Sequence, residues 1–305
     1  MTNKSFTTPI LFLIFNRPDT TEKVFDKIRE IRPRQLFISA DGPRPDKKGE
    51  RQKCEEAREI IKRIDWKCDL KTNFSEKNLG CRVAVSSGIR WFFSHVSEGI
   101  ILEDDCLPEY SFFHFCETLL EYYRNDERIM HIGGVNFQDN QQRGFGSYYF
   151  SQLTHIWGWA SWRRAWRTYD VHMSTYPQFL EQNILHLLFP NSSTQRYWKN
   201  NFDAVYNKMK DTWDLQWQYA MLSHSGLVIL PSTNLISNIG FDGKATHTID
   251  VFSTLANRPT ESIDQIQHPL FVVSDSDADE YTLKKYMNPP KLVKGWQLIR
   301  RSMSR

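Results

Sequence analysis

The sequence predicts an α/β fold: a mostly parallel central sheet with helices on both faces. Two observations carry this. Apolar runs of buried-strand length alternate with helical patterns through the first hundred residues, and three consecutive acids stand where the fourth such run ends. Length and composition agree. A chain of 305 residues, 40% hydrophobic and 25% charged, can bury a full core without disulfides or metal, which excludes a disordered chain, a collagen-like fibre and a knottin.

The elements follow in order. Ile10–Phe15 is a continuous apolar run that reads as a first strand; it is shorter than a signal-peptide core and far short of the ~20 residues that span a bilayer. Asp19 and Glu22 offer a capping box for a helix through Ile28. Gln35–Ser39 is a second strand, stopped by Asp41-Gly42-Pro43. Cys54, Ala57, Ile60, Ile61 and Ile64 recur at helical spacing, and Cys68–Phe74 forms a third, more amphipathic strand. Val85, Ile89, Phe92, Phe93 and Val96 make one apolar helix face, and Gly99–Leu102 is a fourth strand. Strands separated by helices call for parallel pairing through right-handed crossovers.

From Tyr148 the alternation fades into aromatic, polar and helical stretches up to about Gly240. Trp159, Trp162 and Trp166 fall at helical spacing, which predicts a loop turning into a core-packed helix. After Asn257 come an acidic stretch (Asp275, Asp277, Asp279, Glu280) and a tail from Tyr281 to Arg305 whose charges are all basic.

Thirty-nine Lys and Arg against 36 Asp and Glu leave a formal charge of +3, too mild for a nucleic-acid footprint, so no nucleic-acid partner is expected. Five cysteines without a CxxC pair favour free thiols in a reducing compartment, hence a cytoplasmic chain. Aromatic residues reach 14%, with 10 Trp; flat aromatic faces pack cores and stack on sugars or bases alike.

In sheets of this kind ligands bind beyond the carboxyl ends of the strands, where Asn16-Arg17, Asp41-Gly42 and Glu103-Asp104-Asp105 stand. Three adjacent carboxylates repel unless a cation compensates them, and hard oxygens suit Mg²⁺ or Mn²⁺; the alternative is a solvated turn whose Asp residues cap the helix starting near Ser111. Asp41 also reads as an ordinary Asp-Gly-Pro turn, and Asp214 or Asp211 as a helix N-cap. Gly243-Lys244-Ala245-Thr246 is not a Walker A motif, and neither GxGxxG nor HExxH occurs.

The order Asn16-Arg17, Ser39-Ala40-Asp41, Glu103-Asp104-Asp105, Gly158-Trp159, Trp213-Asp214 and Gly240 to His247 resembles the nucleotide-sugar glycosyltransferases of the GT-A fold. It is most similar to their inverting N-acetylglucosaminyltransferase I type, over roughly residues 9 to 250. The resemblance implies a Rossmann-like domain over residues 1–256, its nucleotide-binding half at about 1–134 and its donor-sugar and acceptor half at 135–256, followed by a 257–305 extension. It implies a metal-dependent transfer from a UDP-sugar, UDP-N-acetylglucosamine before UDP-galactose, to a hydroxyl of a glycan or glycolipid.

The roles carried over are specific. Asp105 becomes the ligand of Mn²⁺ or Mg²⁺, Glu103 meets the donor sugar and Asp104 the nucleotide. Arg17 and Asp41 hold the uridine, the carboxylate accepting the imide N–H, and Arg82 occupies the neighbourhood of another base contact. Gly158, Trp159 and Ala160 line the donor sugar with Trp213, and Trp157 or Trp159 walls the pocket. Asp214 is the general base of an inverting displacement. Lys244, Thr246 and His247 belong to a loop over the diphosphate, with His247 on the metal or on an oxygen.

The basic tail, with Trp296 and aliphatics among its charges, suits an anionic membrane surface or a frayed terminus equally. Together these readings point to surface-polysaccharide or glycolipid assembly, peripheral on the inner face of the plasma membrane. The competing readings are a sugar-1-phosphate nucleotidyltransferase, whose Gly-rich loop is missing, and a carbohydrate-binding protein, which has no need of three carboxylates at a strand end.

Overall fold

The computed structural model describes residues 6–241 and 255–289. Strands β1 (Ile10–Ile14), β2 (Gln35–Ala40), β3 (Asp69–Phe74) and β4 (Glu98–Glu103) alternate with helices α1 (Pro18–Ile31), α2 (Glu50–Arg58) and α3 (Cys81–His95). They pair in parallel in the order β3-β2-β1-β4, so four strands present their carboxyl ends on one side. The apolar runs of β1, β2 and β4 are continuous because these inner strands are buried on both faces.

The second half keeps contributing strands where the sequence alternation had faded. The short β5 (Cys106–Pro108) leads into α4 (Tyr110–Tyr122), then β6 (Ile129–Gly133), β7 (Tyr148–Ser151) and β8 (Trp159–Trp162). Helices α5 (Arg163–Trp166), α6 (Tyr176–Glu181), α7 (Ile184–Leu188), α8 (Ser192–Tyr206) and α9 (Asp214–Ser223) precede β9 (Leu227–Pro231) and β10 (Ile236–Asn238). The eight-stranded sheet runs β3-β2-β1-β4-β8-β6-β9-β7, with β8 and β7 antiparallel to their neighbours. α1 and α4 cover one face and α3, α5 and α9 the other, the mostly parallel α/β arrangement expected.

β8 corrects the helix expected from Trp159 and Trp162. Trp-Ala-Ser-Trp is a strand wedged antiparallel between β4 and β6, pairing Ile101 with Trp159 and Ile132 with Ala160. Side chains alternate across a strand, so Trp159 enters the core under α3, α5 and α9 while Ala160 and Trp162 enter the opposite core. Both faces being buried, the tryptophans show a three-residue interval rather than polar alternation. The helix begins just after them, at Arg163.

Two helix starts also differ from expectation. α1 opens on Pro18 at its first turn, with Arg17 at the N-cap and no side-chain cap, so Asp19 and Glu22 form no capping box. α4 is capped by Glu109, which accepts from the Ser111 N–H, and not by the acids of the triplet.

Residues 255–289 return to the β7 edge. Ser274 bridges Phe150, and the Asp275 N–H donates to the Phe150 carbonyl at 2.7 Å. The acidic stretch forms α10 (Ser276–Thr282), whose Ala278 carbonyl and Thr282 hydroxyl accept from Gln138 Nε2. Asp139 accepts hydrogen bonds from Arg258, Tyr281, Lys285 and Tyr286 together. Among the described residues no helix is long and apolar enough to cross a membrane.

Candidate active site

The carboxyl ends of β1, β2 and β4 open into a cavity of about 490 Å³, within the size range of small-molecule sites. The acid triplet forms its floor because β4 ends at Glu103, the chain turns through Asp104 and Asp105, and β5 leaves at once. β5 pairs antiparallel with β10, matching Cys106 to Asn238, and this small sheet carries Gly240 back onto Asp105. The approach is close: a Cβ on Gly240 would overlap Asp105 Oδ2 and come within 2.7 Å of Arg17 Nη1.

Burial drives all three acids toward their neutral forms. It pushes Asp104 up to about 7, with the charge on Asp105 adding to it, and Asp105 is raised as well. Glu103 is held well above the usual carboxylate range by burial and by the charges on Asp105, Asp104 and Asp214. Arg17 opposes this for each of the three. Its Nη1 donates to Asp105 Oδ2 at 2.9 Å, and the Phe15 N–H donates to Asp104 Oδ2 at 3.0 Å. Glu103 Oε1 is buried without a hydrogen-bond partner. An orphaned buried carboxylate oxygen is costly, and it marks a place for a donor or a cation.

The donor set is entirely hard oxygen, and three adjacent carboxyl groups meet a single guanidinium, that of Arg17. Among the described residues no group of three His, Cys, Asp or Glu forms a protein-only cage. These features fit an ion of the Mg²⁺ type, which binds one or two carboxylates and completes its shell with water and substrate phosphates.

Arg17 and Asp41 both line the cavity, but each has a protein partner. Arg17 is bound to Asp105 rather than standing free for a base. Asp41 Oδ1 accepts from the Gly42 and Leu79 N–H groups, both at 2.8 Å, and Oδ2 from Asn78 Nδ2 at 2.8 Å and the Gly80 N–H at 3.2 Å. Four donors fill a carboxylate's acceptor sites. In this arrangement Asp41 shapes the loop before α3 and has no oxygen to spare for an imide N–H. Arg82 does not line the cavity itself; its Nε lies 3.7 Å from Asp211, which does.

Asp214 also lines the cavity, in the first turn of α9. Trp213, not Asp214, holds the N-cap position; Thr212 Oγ1 donates to Asp214 Oδ1. Trp213 shares the wall and stacks on Trp159 behind it, centroids 5.7 Å apart. Trp159 and Ala160 are fully buried in β8, and the wall at this end is made by Ile156 and Trp157. Gly158, at φ +62°, lies against Ile236, whose Cδ1 would be 2.5 Å from a Cβ there. Lys244, Thr246 and His247 lie outside the described residues.

Several lining residues escaped the sequence reading. Arg44 is one: like Asn16, which the sequence had placed at the end of the first strand, it is tied to the buried Glu50, and its guanidinium stands 5.7 Å over the Phe15 ring. Asn78 and Cys81 complete the wall near Asp41. Burial and the surrounding acids push the Cys81 thiol up, so it stays protonated. A signal for Arg44 existed in its place directly after the β2 turn. Asn78 carried none.

No protein-family model matches the chain, and no curated protein matches its sequence. Among solved structures, S. aureus TarS (residues 1–349) is 10% identical over 75% of this chain and 59% of its own length, with a TM-score of 0.43. HddC from Yersinia pseudotuberculosis is 9% identical over 52% of this chain and 77% of its own, with a TM-score of 0.32. The chain thus spans 59% of the length of the TarS structure, and overlaps this slight carry no argument about function. Class and site rest on the chain itself: an α/β sheet whose strand ends enclose an acid-floored cavity.

Proposed function

We propose that the chain is a glycosyltransferase of the GT-A type, moving a sugar from a UDP-sugar, UDP-N-acetylglucosamine before UDP-galactose, to a hydroxyl of a glycan or glycolipid. The observation that carries this reading is one cavity in which the carboxylate cluster after β4, an arginine and a separate carboxylate on α9 converge.

Each residue then has a task. Asp105 would hold a Mn²⁺ or Mg²⁺ ion, which when bound neutralises the diphosphate as it leaves. Glu103, with its unpartnered Oε1, accepts a hydroxyl of the donor, and Arg17 sits where phosphate charge must be balanced. Asp214 takes the acceptor's proton. Its Oδ1 is occupied by Thr212, which leaves Oδ2 for that work. The acceptor oxygen bonds to the anomeric carbon as the bond from that carbon to the phosphate oxygen breaks, and the diphosphate departs with the electron pair.

The setting we propose is surface-polysaccharide or glycolipid assembly, with the basic tail against an anionic membrane. Within the described part of that tail, Lys284 pairs with Glu280 and Lys285 with Asp139. The remaining basic residues, from Lys291 on, lie outside the described residues.

Isothermal titration with UDP, with and without Mn²⁺, tests the reading, followed by UDP release from a panel of nucleotide sugars. Metal-dependent UDP binding and release with one donor support it. Metal-independent glycan binding without UDP binding would remove it in favour of a carbohydrate-binding protein.

A further inference from the structure

We infer that two copies of this chain associate through the β7 edge, where an apolar bulge at Leu270-Phe271-Val272-Val273, flanked by Phe145 and Tyr122, forms the centre of a two-fold interface. This is independent of the nucleotide-sugar reading above.

The bulge is a consequence of how the chain is tied to β7. The Gln267 N–H donates to the Ser147 hydroxyl and the Ser147 N–H to the Gln267 carbonyl, each at 2.9 Å, while Ser274 bridges Phe150. Between these ties the chain takes seven steps where β7 takes three, so the surplus must leave the sheet edge. Both limbs are fixed. His268 Nδ1 bonds the Tyr148 hydroxyl at 2.8 Å and its ring stacks on Tyr122 with centroids 3.8 Å apart; beyond the bulge the Asp275 N–H is held by the Phe150 carbonyl. Val272 packs against the core. Its neighbours do not: Leu270 is 86% exposed, Phe271 73% and Val273 70%.

The patch is continuous with two aromatics from other segments. Phe145 is 97% exposed, and Gly146 beside it lies against Pro269, whose Cγ would be 2.9 Å from a Cβ there; Tyr122, under His268, is 58% exposed. At these exposures the five side chains present on the order of 700 Å², more than the largest apolar patch of a typical monomer and close to the roughly 800 Å² that each partner contributes to a standard interface. The backbone being already fixed, association orders little further chain. The surroundings favour protein over lipid. Glu261, Asp264, Asp275 and Asp277 flank the bulge, and no Lys or Arg occurs between Pro259 and Asp277, whereas docking on an anionic bilayer uses basic residues beside the apolar ones. A two-fold axis lets one such patch face itself, with the acids at the wet rim. β7 stands four strand positions from β4, roughly 20 Å, so this pairing leaves the cavity open.

Sedimentation velocity on the full chain, from about 1 to 100 µM, tests this. Wild type should convert to a species of twice the chain's mass within that range. Phe271→Glu and Phe145→Asp should each raise the dissociation constant about 30-fold or more, the effect of losing a central anchor. Both side chains are exposed in the single chain, so the melting temperature at the dilute end should not change. Leu187→Asp, a comparably exposed change on α7, should leave the association intact. A wild type that stays monomeric throughout overturns the inference, and so does a dimer that survives both Phe substitutions or that Leu187→Asp disrupts equally. Monomeric wild type that partitions onto phosphatidylcholine–phosphatidylglycerol vesicles, and loses this in Phe271→Glu, assigns the bulge to a bilayer and overturns it as well.

Discussion

Arg17 Nη1 and Asp105 Oδ2 meet at 2.9 Å across 88 residues of chain, with the Gly240 carbonyl 3.5 Å from Arg17 Nη2. One arginine thus joins the ends of β1 and β4 to the segment that follows β10. Removing it leaves three buried acids without their nearby cation. Arg17→Ala should destabilise the protein by about 2 kcal/mol at pH 7.5. The loss should shrink toward pH 5, because acids raised by burial take up protons there and the uncompensated charge disappears. Urea denaturation at the two pH values checks this, and a loss that grows on acidification would contradict it.

Asp105→Ala should abolish Mn²⁺-dependent UDP binding, since the remaining Glu103 and Asp104 have no third protein ligand among the described residues to form a cage with. Calorimetry with UDP and Mn²⁺ is the measurement; retained metal dependence would move the ion elsewhere.

Gly240→Ala tests the same corner by bulk rather than charge. Its Cβ would collide with the Asp105 carboxylate and press on Arg17, so the pair must separate. UDP affinity should fall about tenfold, and the melting temperature should fall with it, because the added methyl enters a buried corner and breaks the Arg17–Asp105 pair. Unchanged affinity would show that this corner does not meet the ligand.

Asp214→Asn keeps the shape of the side chain and removes its proton-accepting oxygen. Donor binding should persist while transfer slows roughly 10²- to 10⁴-fold. Single-turnover rates beside UDP affinity separate the two effects, and full turnover would reassign the base.

Asp279 offers a pH test away from the cavity. Burial pushes its carboxyl up to about 7 although Ser151 Oγ and the Gln152 N–H both donate to it. The folded state therefore holds this proton up to a higher pH than the unfolded chain, with its ordinary value of 3.8. The stabilising contribution is full below about 4 and is lost as pH rises to about 7, by roughly 1.4 kcal/mol per unit of pH over that range. Asp279→Asn should flatten the decline in melting temperature between pH 5 and 8. Parallel declines in both proteins would exclude Asp279 as a source.

The strands of the first half were legible because β1, β2 and β4 are buried on both faces and keep unbroken apolar runs. The acids of residues 103–105 were legible for the same reason, standing where such a run stops. β8 was not: with a core on each side, its tryptophans fall three apart and imitate a helix. Nor was the state of Asp41 readable from Asp-Gly-Pro. Three of its four donors lie 37 to 39 residues downstream, a relationship that no local pattern contains.

β8 also bears on how the gene can be cut. Residues 159–162 form the neighbour that β4 needs on its outer side, although they lie more than fifty residues downstream of it. A fragment ending near residue 134 would therefore leave the backbone groups of β4 unmatched and Ile101 without Trp159 beside it. Fragments split there should prove soluble when expressed together and aggregate when made singly.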